Sequence, residues 1–351
     1  MAQVPELIDV RPDEQLDTSR LEPFLRANLE GAEGPLAVAQ FGGGHANLTY
    51  LLRFGEREFV LRRPPLGPVA PSAHDMRREH RVLSRLYAAY PLAPRSFLFC
   101  DDPALIGAEF HVLERRRGIV IRDTFPPPFD GKPDLNRRIG LMLVDALADL
   151  HLVDPAAVDL ADLGRPEGFV QRQLDGWTKR WHAAKDRDLP EMDRLVGWLG
   201  GGVPDSGRVS LLHNDFKLDN VLVDAADPAI PVAVLDWDMC TTGDPLMDLG
   251  SMLSYWNNAD DDPEWLEVSA MPTWHAGFPD RDEVIARYAG RTGFPVDRVD
   301  WYFAFGTFKL AVIIQQIYIR YLRGQTQDER FARFGARVAG LARKGVTIAG
   351  I

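Results

Sequence analysis

Residues 211–224, LLHNDFKLDNVLVD, constrain the fold more than any other stretch, because they set a polar loop between two apolar runs too short to be helices. Each run has the Val and Leu content of a buried strand. A third apolar run, VAVLD, follows at 232–236. Strands are therefore predicted around residues 209–212, 221–224 and 232–236, inside a region that otherwise reads as helix from Asn136 onward.

The first third of the chain has a different character. After a helix predicted around residues 18–30, the runs LAVAQF, LTYLLRF and EFVLRR are joined by GGGHAN and GER, the pattern of an antiparallel meander. A Pro-rich segment from Pro64 to Pro71 leads into HDMRREHRVLSRLYAAY, where Met76, Val82, Leu83 and Leu86 stand near helical spacing. SFLFC and AEFHVLER supply two further strands. The polar, Pro-rich stretch from Arg115 to Pro133 marks a boundary, which predicts a lobe over 1–115 and a second over 116–351. With 46% hydrophobic and 26% charged residues, both have the material for packed cores.

A net charge of -11 argues against nucleic acid or an anionic membrane as the main partner. Arg115, Arg116 and Arg117 remain as local contacts for an anion. Cys100 and Cys240 form no CxxC unit, so neither a disulfide framework nor a zinc site is expected, and a reducing cytoplasm fits. The opening MAQVPELIDVRPDEQLD mixes in acids, and no signal peptide is expected. The most apolar run, residues 303–322, is interrupted by Lys309, Gln315, Gln316 and Arg320, which predicts a buried amphipathic helix rather than a membrane span.

Within the loop, His213, Asp215, Lys217 and Asn220 read H-x-D-x-K-x-x-N, the spacing of the catalytic loop of protein kinases and their relatives. A carboxylate at Asp215 suits accepting or orienting the proton of an attacking hydroxyl, and Asn220 offers a neutral oxygen to a magnesium ion. The plainer alternative is a surface loop whose Asp and Asn only cap turns. Asp236, 16 residues after Asn220, ends the next apolar run, where a second carboxylate would bind the magnesium that bridges the phosphates.

LLHNDFKLDNVLV followed by VLDWDMCTTGDPLMDLG resembles the aminoglycoside phosphotransferase and choline kinase branch of the kinase-like fold. It is particularly similar to the phosphotransferase domains fused to some acyl-CoA dehydrogenases, and the resemblance runs from the Gly-rich turn to the long C-terminal helices. It implies an α+β, two-lobed protein-kinase-like fold with a small β-rich N-terminal lobe and a larger, mostly helical C-terminal lobe. It also implies ATP as co-substrate, Mg2+, and a small-molecule hydroxyl as acceptor.

On this resemblance Asp215 is the catalytic base, and Asn220 and Asp236 are metal ligands. Lys217 stands where a lysine contacts the transferred phosphate, with a solvated loop lysine as the alternative. His213 braces the loop, and Asp248, opening a helix in GDPLMDLG, hydrogen-bonds the loop backbone. In the first lobe Gly42, Gly43 and Gly44 cover the phosphates. Arg62 takes the place of a phosphate-binding lysine, a departure from the protein kinase pattern, with Glu79 as its helical partner. Adenine meets the backbone near Glu114 to Arg116. Lys309 and Arg320, on one helix face, are either acceptor contacts or solvated edges of a packed helix.

Three other readings compete. LDWDMCT also resembles the D-x-D-x-T motif of haloacid-dehalogenase-type phosphatases, but only five residues separate Asp238 from Asp244, too few for the intervening elements of that fold. A nucleotide-binding pseudokinase is opposed by the presence of Asp215, Asn220 and Asp236 together. The acceptor is the most open question. Acids in SYWNNADDDPEWLE would suit an aminoglycoside or choline, whereas kinship with the dehydrogenase-linked domains points to a hydroxyacyl-CoA or related hydroxylated metabolite.

Overall fold

The computed structural model describes residues 6–42, 47–66, 75–205, 207–266 and 271–351. Two compact units emerge: Met1–Arg117 with Ala233–Cys240, and Gly118–Val232 with Thr241–Ile351. The first holds strands β1 (Leu7–Ile8), β2 (Leu36–Phe41), β3 (Leu48–Phe54), β4 (Arg57–Arg63), β5 (Ser96–Cys100) and β6 (Phe110–Glu114). With them come helices α1 (Thr18–Asn28), α2 (Met76–Leu86) and the short α3 (Pro103–Ile106).

The strands form one antiparallel sheet in the order β1-β2-β3-β4-β6-β5. Its predicted meander is β2 to β4, and the β3–β4 hairpin closes with Phe54 opposite Arg57, where Gly55 takes φ 55°, a left-handed value that costs glycine little. Leu21 and Leu25 of α1 pack into the sheet core with Tyr50, Leu52, Leu61, Phe110 and Val112.

The segment 233–240, assigned by sequence to the second lobe, joins the first unit. Three contacts hold it there: Val234 N–H donates to the Leu92 carbonyl (2.7 Å), Arg78 donates to the Cys240 carbonyl (2.9 Å), and the buried Trp237 ring meets Tyr90 edge-on at 6.0 Å.

The second unit is mostly helical, with α4 (Pro133–His151), α5 (Phe169–Ala184), α6 (Pro190–Gly201), α7 (Leu246–Tyr255), α8 (Pro263–Leu266), α9 (Arg281–Thr292), α10 (Val299–Leu322) and α11 (Phe334–Ala349). Short strands β7 (Ile119–Val120) and β9 (Val221–Val223) pair antiparallel, as do β8 (Ser210–Leu212) and β11 (Thr241–Gly243). Strand β10 (Pro231–Val234) carries the chain from this unit to the first.

Helix α10 is long and apolar enough to cross a membrane by length and composition, yet Trp301, Phe305, Phe308 and Ala311 are buried inside the unit. It crosses α7 closely because Gly250 and Gly306 face each other, so that a Cβ on either would run into the opposing backbone. That crossing fixes α7, which bears Asp248, beside α10, which bears Lys309.

Candidate active site

The polar loop of residues 213–220 links β8 to β9 and ends in a single 3-10 turn, Leu218–Asn220. Asp248, in the first turn of α7, anchors the loop from below: the N–H groups of His213 (2.6 Å) and Asn214 (2.8 Å) donate to its two carboxylate oxygens. Burial would raise the Asp248 pKa, but its bonds to His151 and His213 bring it below the usual carboxylate value. His213 is fully buried, and its Nδ1 accepts the Asp215 N–H at 3.3 Å, the bracing role inferred from sequence. Asn214, between them, has φ 67°, a left-handed conformation that asparagine tolerates better than most residues.

Asp215 presents its carboxylate asymmetrically. Oδ2 accepts from Asn220 Nδ2 (3.0 Å) and from Lys217 Nζ (3.1 Å), while Oδ1 has no hydrogen bond among the described residues. Asn220 Nδ2 also donates to the Asp215 carbonyl (2.8 Å), so the amide is oriented with Oδ1 left over. One Asp oxygen is thus fixed and the other is open to a substrate proton.

Lys217 stands between two carboxylates, Asp215 and Asp219 (3.8 Å), with the Tyr255 ring 5.4 Å from its Nζ. Burial opposes its charge, but Asp215, Tyr255 and Asp219 outweigh that effect and raise its pKa, so it is a fixed cation at the loop rather than a solvated lysine. Asp219 pays for the arrangement: burial lifts its pKa to about 6 despite Lys217, and its buried Oδ1 has no hydrogen bond among the described residues.

Lys309, read from sequence as an acceptor contact or a solvated edge, is held inside the second unit. Its Nζ donates to the Asn214 carbonyl (2.9 Å) and lies 5.7 Å from the Trp177 ring centre, and burial lowers its pKa. It props the strained residue that precedes Asp215. Arg320, on the same helix, is exposed.

The first unit has its own charged cluster. Arg62 on β4 donates to Glu79 on α2 through Nη1 (2.7 Å) and to Asp236 through Nη2. The sequence left open which arginine pairs with Glu79, and Arg62 is bonded to it. Glu79 also accepts from Trp237 N–H (3.3 Å) and pairs with His111 Nε2 (3.1 Å). Burial would raise its pKa, yet Arg62 and His111 hold it down at about 2. Burial likewise works against the Arg62 charge, and Glu79 and Asp236 overcome it, so its pKa is raised. Asp236 has φ 69°, and among the described residues its Oδ1 alone is hydrogen-bonded. A left-handed Asp at a charged cluster is the kind of backbone strain that persists where function requires it.

The nucleotide residues fare unevenly. Gly43 and Gly44 lie outside the described residues, and Gly42 gives its N–H to the carbonyl of Glu6, just before β1 (3.0 Å). Glu114 pairs with Arg116 (2.9 Å), and its N–H donates to the Arg95 carbonyl (2.8 Å). Asp244, the distal acid of the phosphatase alternative, caps α7 through Leu246 N–H and accepts the Tyr302 hydroxyl (2.6 Å), a structural role.

No three His, Cys, Asp or Glu side chains cluster as a metal site among the described residues. Asn220 Oδ1 in the second unit and Asp236 Oδ2 in the first accept no hydrogen bond among the described residues, and each is by itself a hard oxygen of the sort Mg2+ takes. Sequence reasoning missed Asp219, which fills an unspecified position of the H-x-D-x-K-x-x-N loop, and His111, His151, Tyr255 and Trp177, which fall in no motif.

Residues 37–287 match the phosphotransferase enzyme family. Acyl-CoA dehydrogenase family member 11 of Mus musculus is 34% identical over 358 residues, which is 98% of this chain but 44% of the relative. The chain thus spans under half the length of the curated relatives it matches. A crystal structure of a Ralstonia eutropha protein assigned to the aminoglycoside phosphotransferases is 29% identical, with TM-score 0.82 over 96% of this chain and 99% of that one. A thermostable mutant of the aminoglycoside phosphotransferase APH(4)-Ia, in ternary complex with AMP-PNP and hygromycin B, shares the fold at TM-score 0.57 and 18% identity, over 93% of this chain and 98% of that one.

Proposed function

Because this chain belongs to the phosphotransferase enzyme family and is a small-molecule kinase, we propose that it moves the γ-phosphate of ATP to an alcohol by direct in-line transfer, with Asp215 as the base. The observation that carries this reading is the Asp215 carboxylate, one oxygen held by Asn220 and Lys217 and the other open. A hydroxyl placed at Oδ1 gives up its proton there as its oxygen attacks phosphorus, and ADP leaves, with no covalent enzyme intermediate. Asn220 and Asp236 would hold Mg2+, which neutralises phosphate charge when bound. Lys217 contributes a positive charge fixed beside the base.

The acceptor proposed is a hydroxyacyl-CoA or a related hydroxylated acid. Supporting it are the relatives' names, which are those of acyl-CoA dehydrogenases. Hygromycin B in the APH(4)-Ia complex makes an aminoglycoside the second candidate.

Two measurements test the reading. ATP is expected to raise the Tm of the wild type only with Mg2+, and Asp236→Asn is expected to lose that response. ADP release is then screened with hydroxyacyl-CoAs, aminoglycosides and choline. An ATP response indifferent to Mg2+ and to Asp236 would sink the metal assignment, and no response to ATP under any condition would favour a pseudokinase.

A further inference from the structure

Within the second unit, α5 and α10 leave an open cavity of about 530 Å³, a size that takes an extended small molecule. Ile313 and Ile317 give it apolar walls, and Gln316 and three arginines, Arg180, Arg320 and Arg323, give it polar edges. This chain has a net charge of -11, and many of its arginines are tied to acids, as Arg281 is to Asp261 and Arg287 to Asp145. Among the described residues, no carboxylate lies within ion-pair distance of Arg180, Arg320 or Arg323. Arg180 is instead held over the Trp177 ring, 4.5 Å from its centre. Like charges gathered at one hollow repel one another, and an anionic ligand relieves that repulsion.

The groove is joined to the catalytic loop through its own walls. The two helices run side by side in the same direction: Trp177 meets Lys309, and farther along Gln315 Nε2 donates to the Ala184 carbonyl (3.0 Å). Lys309 in turn bonds the carbonyl of Asn214, next to Asp215. Ile313 lies one turn beyond Lys309 on the same helix, and Arg320 about 16 Å beyond it at 1.5 Å per residue. The apolar walls therefore lie nearer the helix turn that supports the loop, and two of the three arginines farther out.

We propose that this groove is the recognition site for the anionic, distal part of the acceptor: the phosphates of a CoA thioester on Arg180, Arg320 and Arg323, and its apolar segment along Ile313 and Ile317. The proposal rests on the function argued above and adds the surface and chemistry that select the acceptor. Polycationic aminoglycosides and choline would be repelled by the same three arginines.

Decanoyl-CoA lacks a hydroxyl to phosphorylate, so calorimetric titration with it reads binding without chemistry. CoA and decanoate serve as partial ligands, and the variants are the pairs Arg320→Glu with Arg323→Glu and Arg320→Lys with Arg323→Lys, each checked for an unchanged Tm. The expected result is that the wild type binds decanoyl-CoA, the Glu pair binds it at least about tenfold more weakly, and the Lys pair stays near wild type. Absent binding to the wild type, or equal binding by the Glu pair, overturns the proposal. Should the Glu pair fail to fold, Arg180→Ala is expected to weaken binding likewise, and wild-type affinity there counts against the groove.

With a hydroxyacyl-CoA that is turned over, the Glu pair should raise KM about tenfold and leave kcat within about twofold. Turnover with an unchanged KM removes the groove and leaves the phosphotransfer reading standing. Turnover of aminoglycosides alone removes both the acceptor class and the groove.

Discussion

Replacing Glu79 by Gln probes the charged cluster of the first unit at its centre. The carboxylate is 1% exposed and is met by Arg62, His111 and the Trp237 N–H. Burial by itself would push its pKa up, and Arg62 and His111 instead bring it from 4.5 to about 2. A pKa difference of one corresponds to about 1.4 kcal/mol, so ionised Glu79 contributes about 3 kcal/mol above pH 4.5. Because the folded protein holds this proton more weakly than the unfolded chain does, the contribution is full above pH 4.5 and is lost as the pH falls toward 2.

At pH 3 about 1 kcal/mol should remain, since the unfolded chain is by then largely protonated at this position. Glu79→Gln keeps the shape and removes the charge, while Arg62 keeps its pairing with Asp236. The variant should therefore be less stable than wild type by about 3 kcal/mol at pH 6 and by about 1 kcal/mol at pH 3. Hydrogen exchange in urea, read by mass spectrometry on peptides spanning β4 and α2, reports this unit separately from the helical one. A stability difference equal at the two pH values would refute the reasoning, because it would mean that Glu79 is not held ionised in the folded protein.

Further outcomes follow from the second unit. Asp215→Asn removes the open proton acceptor, so kcat should fall by at least about a hundredfold with ATP affinity retained, and undiminished turnover in steady-state kinetics would rule out Asp215 as the base. Lys309→Met leaves the Asn214 carbonyl without its donor, and kcat should drop about tenfold with the far-UV spectrum intact; an unchanged kcat would show that the prop is dispensable. Lys344, buried on α11, has its pKa lowered to about 7 by burial first and Arg281 second, against 10.5 in the unfolded chain. The unfolded chain binds the extra proton between those values, so wild-type stability should rise from pH 7 to pH 9.5 relative to Lys344→Met, by an amount of order a few kcal/mol. Parallel urea midpoints for the two proteins across that range would contradict a neutral buried lysine.

Period and spacing were enough to place the meander, the loop between β8 and β9 and the helices that follow. LTYLLRF reads as a strand from its short apolar run between Gly-containing turns, and Tyr50, Leu51 and Leu52 are all buried, while the H-x-D-x-K-x-x-N spacing sets four side chains on one short loop. What stayed hidden depends on which core a segment enters. VAVLDW is apolar wherever it packs, so nothing local in it tells that Trp237 meets Tyr90 and brings Asp236 to Arg62. Strand β1 is two residues long, below any periodic signal, yet the Glu6 carbonyl preceding it occupies the N–H of Gly42. Lys309 and Arg320 share a helix face as their spacing predicts, but spacing is silent on burial, and burial ties Lys309 to Asn214 and leaves Arg320 exposed.

The arginine at position 62, a departure from the lysine of protein kinases, acquires a physical reason from these contacts. A guanidinium is a planar fork that donates from separate nitrogens, and here Nη1 serves Glu79 while Nη2 serves Asp236. A lysine is a single point charge on a flexible stem and holds two carboxylates less rigidly. The fork fixes Asp236 in its left-handed conformation through Oδ1 and leaves Oδ2 free, so a metal ion taken by that oxygen need not break the arginine pair. Arg62 thereby orients the proposed metal ligand from the protein side, a task for which charge alone is insufficient and geometry decides.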